Sequence, residues 1–254
     1  MGNKYAKNYI SKVIVRIDFL NSLVALNDDI PSKLSSACKQ NFPIPEPKEI
    51  PLHELHIGPA VQNLTSVEEE RKTIREWHFY GPDRTRHLTI TQFFMHIEYT
   101  RYGTFEDFEA SFTSIVDALY DTYNELQIKR FGLRYINNIE LAGEDRFSWS
   151  AYLNRNLLSI LNVPRDKSNI IRAFQNLELK LGDCILRFQF GMHNPDYPSP
   201  IKKKSFILDY DAYIVGLLTK AEINRNLEIL HDEIEKMFEL SITEKLRGMM
   251  NVSG

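Results

Sequence analysis

Apolar and polar residues alternate along Arg130–Leu141. Phe131, Leu133, Tyr135 and Ile139 fall in one phase, and Arg134, Asn138 and Glu140 in the other. A period of two marks a β-strand with two unlike faces. The polar phase is heavy for a strand placed centrally in a sheet, so it is the first place to look for function. Lys12–Leu20 repeats the pattern, with Val13, Val15, Ile17 and Phe19 set against Ile14, Arg16, Asp18 and Leu20. Thr73–Tyr80, His87–Thr91, Phe93–Tyr102, Ile170–Leu181, Cys184–His193 and Ser205–Tyr213 also read as strands. Gly81-Pro82-Asp83 and Gly182-Asp183 supply turn chemistry between neighbours.

Elsewhere the period lengthens to three and four. Phe105, Phe108, Phe112, Ile115, Val116, Leu119 and Tyr123 form one apolar stripe, opened by the capping sequence Thr104-Phe105-Glu106-Asp107. A second long helix is predicted from about Lys220 to Arg247, with Ile223, Leu227, Leu230, Ile234, Phe238, Ile242 and Leu246 inward and Thr219 and Glu222 at capping-box spacing. Pro31-Ser32-Lys33 predicts a short helix through Cys38. Phe147–Leu161 predicts another, closed by Asn162-Val163-Pro164. Between Phe42 and Pro59, prolines at 43, 45, 47, 51 and 59 exclude a regular helix or a central strand, which leaves an extended arm.

The two halves of the chain align. Val13-Ile14-Val15-Arg16-Ile17 matches Phe131-Gly132-Leu133-Arg134-Tyr135. Met95–Tyr99 with Tyr102 matches Phe206–Tyr210 with Tyr213, and Thr104 matches Thr219. The offsets are about 110 to 118 residues, too long for a solenoid repeat. The expected fold is α+β: two tandem units, residues 1–128 and 129–254, each an antiparallel sheet with its own long helix. The units are expected to pack as one pseudo-dimeric body.

Composition narrows function without naming it. A formal net charge of -3 gives no basic excess, which disfavours sequence-independent nucleic-acid binding. The only cysteines, Cys38 and Cys184, form neither a disulfide framework nor a zinc knuckle. Met1–Ile10 has no apolar signal core and no window approaches a membrane span, so a cytoplasmic, reducing setting is expected. Ala6 stands where a myristoylation pattern opening on Met1-Gly2 needs Ser or Thr.

Candidate chemistry is sparse. Arg16 and Arg134 could bind carboxylates or other anions, or form cross-strand ion pairs with Asp18, Glu98, Glu140 or Asp209. Glu98, Asp209 and Asp211 could serve acid–base chemistry or a cation, or make up a salt-bridged acidic face. His53 and His56 are three apart, in a proline-broken segment without a nearby third ligand. His78 and His87 are expected to face one another across a hairpin. Lys202-Lys203-Lys204 is the one basic cluster, on the loop after Asn194–Pro200; its usual role is to keep a loop solvated. There is no Gly-x-Ser-x-Gly elbow and no glycine-rich phosphate loop.

Three stretches carry a resemblance: Phe131–Ile139, Ile207-Leu208-Asp209-Tyr210-Asp211, and Phe238-Glu239-x-x-Ile242-Thr243-x-x-Leu246. They are similar to a sporadically distributed, functionally uncharacterised bacterial protein family whose members share a Gly-Leu-Arg-Tyr-Ile-Asn core, here Gly132–Asn137. The resemblance spans nearly the whole chain and implies no catalytic residue. The order of strands and trailing helix also resembles the SecB-like chaperone fold, in element order alone.

The sequence thus points to a non-catalytic intracellular binding protein that recognises a macromolecule, most plausibly a protein encoded nearby, without cofactor, metal or membrane. Its candidate binding residues are Arg16, Arg134, Asn138, Glu98, Asp209, Lys202, Lys203 and Lys204. The proline-rich arm 42–59 and the Asn194–Pro200 loop are the expected contact elements. The alternative is an enzyme or ligand sensor with Arg16, Arg134, Glu98 and Asp209 in a polar site between the two sheets. Nucleic-acid contact through the lysine loop is a third reading.

Overall fold

A computed structural model describes residues 5–57 and 67–251, the side chains of 52–57 and 67–72 excepted. Its strands are β1 (Ile10–Phe19), β2 (Ile44–Pro45), β3 (Lys48–Ile57), β4 (Val67–Tyr80), β5 (Arg86–Ile90), β6 (Phe94–Tyr99), β7 (Ile128–Glu140), β8 (Ala173–Leu181), β9 (Cys184–Met192) and β10 (Ser205–Leu218). Its α-helices are α1 (Ser32–Asn41), α2 (Phe105–Thr122), α3 (Lys220–Ser241) and α4 (Glu244–Asn251). The strands form one sheet in the order β2-β4-β5-β6-β1-β7-β10-β9-β8, with β3 continuing along β4 beyond β2. Every pairing is antiparallel.

The centre of the sheet is the pairing of β1 with β7, which sets Val13 opposite Tyr135, Val15 opposite Leu133 and Ile17 opposite Phe131. Outward from β1 the order is β6, β5, β4; outward from β7 it is β10, β9, β8. Because side chains alternate across the pleat, these six residues share one face, and all of them are buried. The helices supply the opposing layer. Phe108, Phe112, Ile115, Val116 and Leu119 are the buried stripe of α2, and Ile223, Leu227, Leu230 and Ile234 that of α3. Phe112 stacks on Phe131 at 5.7 Å between ring centroids.

Local signals place the helix starts. Thr104 accepts a hydrogen bond from the Asp107 amide at 3.2 Å. At α3 the capping box is complete: the Glu222 amide donates to Thr219 Oγ1 and the Thr219 amide to Glu222 Oε2, at 3.4 and 2.8 Å. Gly182 opens the two-residue β8–β9 turn at φ +63°. Gly191 permits a close backbone approach, since a Cβ there would lie 2.0 Å from the Ala173 carbonyl oxygen.

Several expectations are corrected. The expected helix over Phe147–Leu161 is instead a set of turns followed by a 3-10 helix, Arg155–Asn162. Its backbone bonds are drawn to the end of α3: the Asn154 amide donates to the Ser241 carbonyl, and Leu153 bridges Ile242. The long C-terminal helix also breaks there. Ile242 is extended at φ -107°, ψ 162°, and α4 then carries the stripe on through buried Leu246. The proline-rich arm agrees with its extended reading as far as Ile57: β2 and β3 lie at the sheet's edge, where the missing N–H of Pro45 and Pro51 costs no central ladder bond, and residues 58–59 lie outside the described residues. The expected two sheets are one continuous sheet. Among the described residues no helix is long and apolar enough to cross a membrane.

If α2 and α3 pack as described, Phe112→Ala and Leu230→Ala should each lower unfolding free energy by about 2–5 kcal/mol through lost apolar contact and a residual cavity. Denaturant titration measures this, and an unchanged midpoint for either variant would contradict the packing of its helix.

Candidate functional site

The polar phase of β7 lies on the face of the sheet opposite the helices. Pairing in register places Arg134 between Ile14 of β1 and Asp211 of β10. Its guanidinium reaches diagonally to Asp209, forming two bonds of 2.8 and 2.6 Å. This fork geometry is among the stronger protein ion pairs, and it raises the pKa of Arg134. Arg16 bonds Asp18 at 2.8 Å and lies 3.9 Å over the Phe94 ring. Glu98 pairs with Lys12 at 2.9 Å. Arg16, Arg134, Glu98 and Asp209 therefore sit on adjacent strands of one sheet, each already partnered, and do not converge on a gap between two sheets. Asp211, on the same face as Asp209, has its pKa raised by burial, which Arg130, Arg134 and Arg187 partly offset.

Three histidines extend this face over β4, β5 and β6. His78 Nδ1 lies 2.8 Å from His87 Nε2, and its Nε2 lies 2.8 Å from Glu76. The expected meeting across the hairpin occurs diagonally, since the residues directly opposite are His78 with Thr89 and Tyr80 with His87. Burial, then His78 and His96, pushes the His87 pKa down to about 4. Burial also lowers that of His96. His53 and His56 fall on β3, their side chains outside the described residues. No His, Cys, Asp and Glu group among the described residues is arranged to hold a metal. Cys38 and Cys184 are both free and buried, and burial pushes their thiols to about 12 and about 11.

The lysine loop meets the end of β7 in a depression of about 260 Å³ that brings Asn138 together with Lys202 and Lys203. Asn138 accepts from Ser205 at 2.7 Å and donates to Glu140 at 3.1 Å. Lys202 pairs with Asp196 at 3.4 Å. Lys204 instead lies over the rings of Trp149 and Tyr152, at 5.6 and 5.3 Å.

The larger concavity is on the helix side. A cleft of about 570 Å³ lies between the first turns of α2 and the middle of α3, above the β1–β7 seam. Tyr135 and Asn137 of β7 form its floor. Tyr102, Phe105, Glu106 and Glu109 line one wall, and Glu228, His231, Asp232 and Glu235 line the other. Ile234, Phe238 and Met250 add an apolar end. The hydroxyls of Tyr102 and Tyr135 lie 3.2 Å apart, and Tyr135 is also 3.2 Å from His231 Nδ1. The His231 ring stacks on Phe105 at 3.8 Å, almost parallel.

Burial sets the charge states at this floor. The Tyr102 pKa is pushed up to about 12 and that of Tyr135 well above the usual phenol value. His231 is lowered by burial, against the pull of Glu235, Asp232 and Glu106. At neutral pH the floor is thus two protonated phenols and a neutral imidazole. Glu109 is raised by burial and then by Glu228 and Glu106. Asn137, only 4% exposed, donates to the Leu208 carbonyl at 3.4 Å.

Sequence reasoning placed function on the other phase of β7 and missed this cleft. One signal was legible: Asn137 stands in phase with Phe131, Leu133, Tyr135 and Ile139, a polar residue on the buried side. His231, on the flank of the α3 stripe, gave none. No family model matches the chain, and neither does a curated protein or a solved structure.

Arg134→Ala should lower stability by about 1–3 kcal/mol, because it strands Asp209, whose side chain is 11% exposed. Asp209→Asn added to it should recover part of the loss in a double-mutant cycle; additive losses would contradict the pairing.

A second expectation concerns pH. His87 titrates near 4 when folded but near 6.5 when unfolded. Between those values the unfolded chain takes up the proton and the folded chain resists it, so stability present above pH 6.5 is lost as pH falls toward 4. His87→Gln should make that fall shallower in thermal melts, and an identical pH profile would contradict the assignment.

Proposed function

We propose that the chain is a non-catalytic binding protein that recognises a protein partner in the cleft between α2 and α3. The observation that carries this is the cleft itself: a concavity of about 570 Å³ with an aromatic and amide floor, acidic walls and an apolar end. Mixed lining of this kind combines burial with a few placed polar groups, as binding sites do. The protonation states agree. Tyr102 and Tyr135 hold their protons far above neutral pH, which suits fixed hydrogen bonds better than proton transfer, for which a pKa near the working pH is best.

The cleft volume is also in the range of small-ligand sites, so a sensor of a small molecule is the second reading. We further infer that residues 1–128 and 129–254 are two copies of one unit associated as a pseudo-dimer. The shared outward orders β1-β6-β5-β4 and β7-β10-β9-β8, each with its trailing helix, support this reading. In that view the cleft is a feature of the junction that neither unit forms alone.

Gly103 offers a direct test. It lines the cleft, and a Cβ there would meet nothing nearer than Asp107 Oδ2 at 3.8 Å. A photo-crosslinking residue at Glu109 should capture a defined protein in the native cell. That protein, once purified, should bind Gly103→Trp at least about tenfold more weakly than wild type, with the melting temperature unchanged. Equal affinity for the filled and open clefts would contradict the proposal, and so would crosslinks to a small molecule alone.

A further inference from the structure

We propose that β8 pairs with the β8 of a second copy of this chain, joining two molecules into one continuous sheet about a twofold axis. This surface goes beyond the cleft and does not depend on it. The two ends of the sheet are unlike. At one end the outer edge of β4 is taken by β2, only two residues long, and by β3, and these carry Pro45 and Pro51. Short strands and prolines keep an edge from pairing further. At the other end β8 runs for nine residues, with no proline, no glycine and no break in its register with β9. Among the described residues no strand continues the sheet beyond it.

The backbone of this edge is open. The two-residue turn at Gly182 and Asp183 is closed by Leu181 and Cys184. The closing pair of such a turn exchanges backbone bonds, and bonding then alternates along the strand. Leu181, Leu179, Leu177 and Gln175 therefore bond to β9, while Phe174, Asn176, Glu178 and Lys180 turn their N–H and C=O groups outward. The side chains are apolar where an edge strand is commonly charged. Leu177 and Leu179 stand opposite Phe188 and Leu186, on the face that carries the core, yet Leu177 is 44% exposed. Phe174, on the other face, is 42% exposed.

The register names the occupant. A twofold axis beside Leu177 sets Phe174 opposite Lys180 of the other copy and Asn176 opposite Glu178, and each pair recurs in reverse. It is the one antiparallel twofold register that pairs all four outward residues within the strand. Leu177 then meets its own counterpart on the helix side, and Leu179 meets Gln175. No like charges lie directly opposite, whereas an axis one residue on would set Glu178 against itself. The strand is thus complementary to itself, as an isologous contact requires.

Sedimentation velocity of the full chain, run from about 1 to 200 μM, reads the association. The chain should pass from monomer to dimer and stop there, because the far edge is guarded. Leu177→Lys, which sets like charges on the axis, should weaken the dimer at least about tenfold with the melting temperature unchanged. Asn176→Pro is the second variant: it removes an outward N–H, leaves the bonds to β9 in place and should weaken the dimer as much. Val215→Lys, at a more exposed apolar position on β10, should change nothing. Gly103→Trp, which fills the cleft, should also leave the dimer intact, so the two surfaces are tested apart. In the wild type the outward amides of β8 should exchange with deuterium at least about tenfold more slowly at high concentration, read by mass spectrometry. A chain that stays monomeric throughout overturns the proposal. So does a dimer that both variants retain, one whose β8 amides exchange at the dilute rate, or assembly that continues past two. A different protein that protects those amides while the chain itself stays monomeric would take the edge for that protein and overturn the proposal equally.

Discussion

The pairing of β1 with β7 is the constraint from which the rest of the structure follows. Nine residue pairs, from Ile10 with Asn137 to Phe19 with Ile128, join the two halves of the chain into one sheet. The antiparallel register fixes which side chains share a face, because a slip of one residue would exchange every inward and outward position. With the register set, Val13, Val15, Leu133 and Tyr135 must meet the helices, and Arg16 and Arg134 must lie on the other side. Helices α2 and α3 then have one apolar surface to cover. The first turn of α2 and the middle of α3 meet through the Phe105–His231 ring stack, and the cleft opens beside that contact above Tyr135 and Asn137.

The two faces of β7 handle polar groups in opposite ways. On the face away from the helices, acids and bases alternate between neighbouring strands and satisfy one another, as Arg134 does with Asp209 and Arg187 with Glu178. Such a surface is complete by itself, and partly exposed pairs of this kind contribute modestly to stability. On the helix side the polar groups are phenols, an amide and an imidazole at the floor of the cleft, with the carboxylates of Glu109 and Glu228 on its walls and no lysine or arginine in its lining among the described residues. Polar groups set in a concavity, unlike those of the paired outer face, leave donors and acceptors open to a bound molecule. The contrast is why recognition is placed in the cleft, although the opposite face is richer in charge.

Much of the fold was legible because it depends on local periods. The alternation in Lys12–Leu20 and Arg130–Leu141, the three-four stripes of α2 and α3, and the Thr219–Glu222 capping box each report their own element. Elements decided by distant contacts were not legible. Phe147–Leu161 has a helical pattern, but its backbone bonds to the end of α3, some ninety residues on, and the same contact splits α3 from α4. One sheet in place of two depends on the β1–β7 register, which no local pattern encodes. The candidate site was legible only in part. Arg134, Asn138 and the lysines were visible as polar side chains, and Asp209 stood among several acids weighed for Arg134, but which acid it takes depends on strand order. Asn137 was visible as a misplaced polar residue. The acids of the cleft were hidden because each one, taken alone, looks like an ordinary solvated helix residue.

The central claim, that the helix-side cleft and not the charged face is the recognition surface, can be tested most directly by nuclear magnetic resonance. The isotope-labelled chain would be titrated with the purified partner captured through the crosslink at Glu109. Shift changes should concentrate at Phe105, Glu109, Tyr135, Asn137 and His231 and leave Arg16, Arg134 and Asp209 unmoved. Changes centred on Arg134 and Asp209, with the cleft resonances unaltered, would contradict the account.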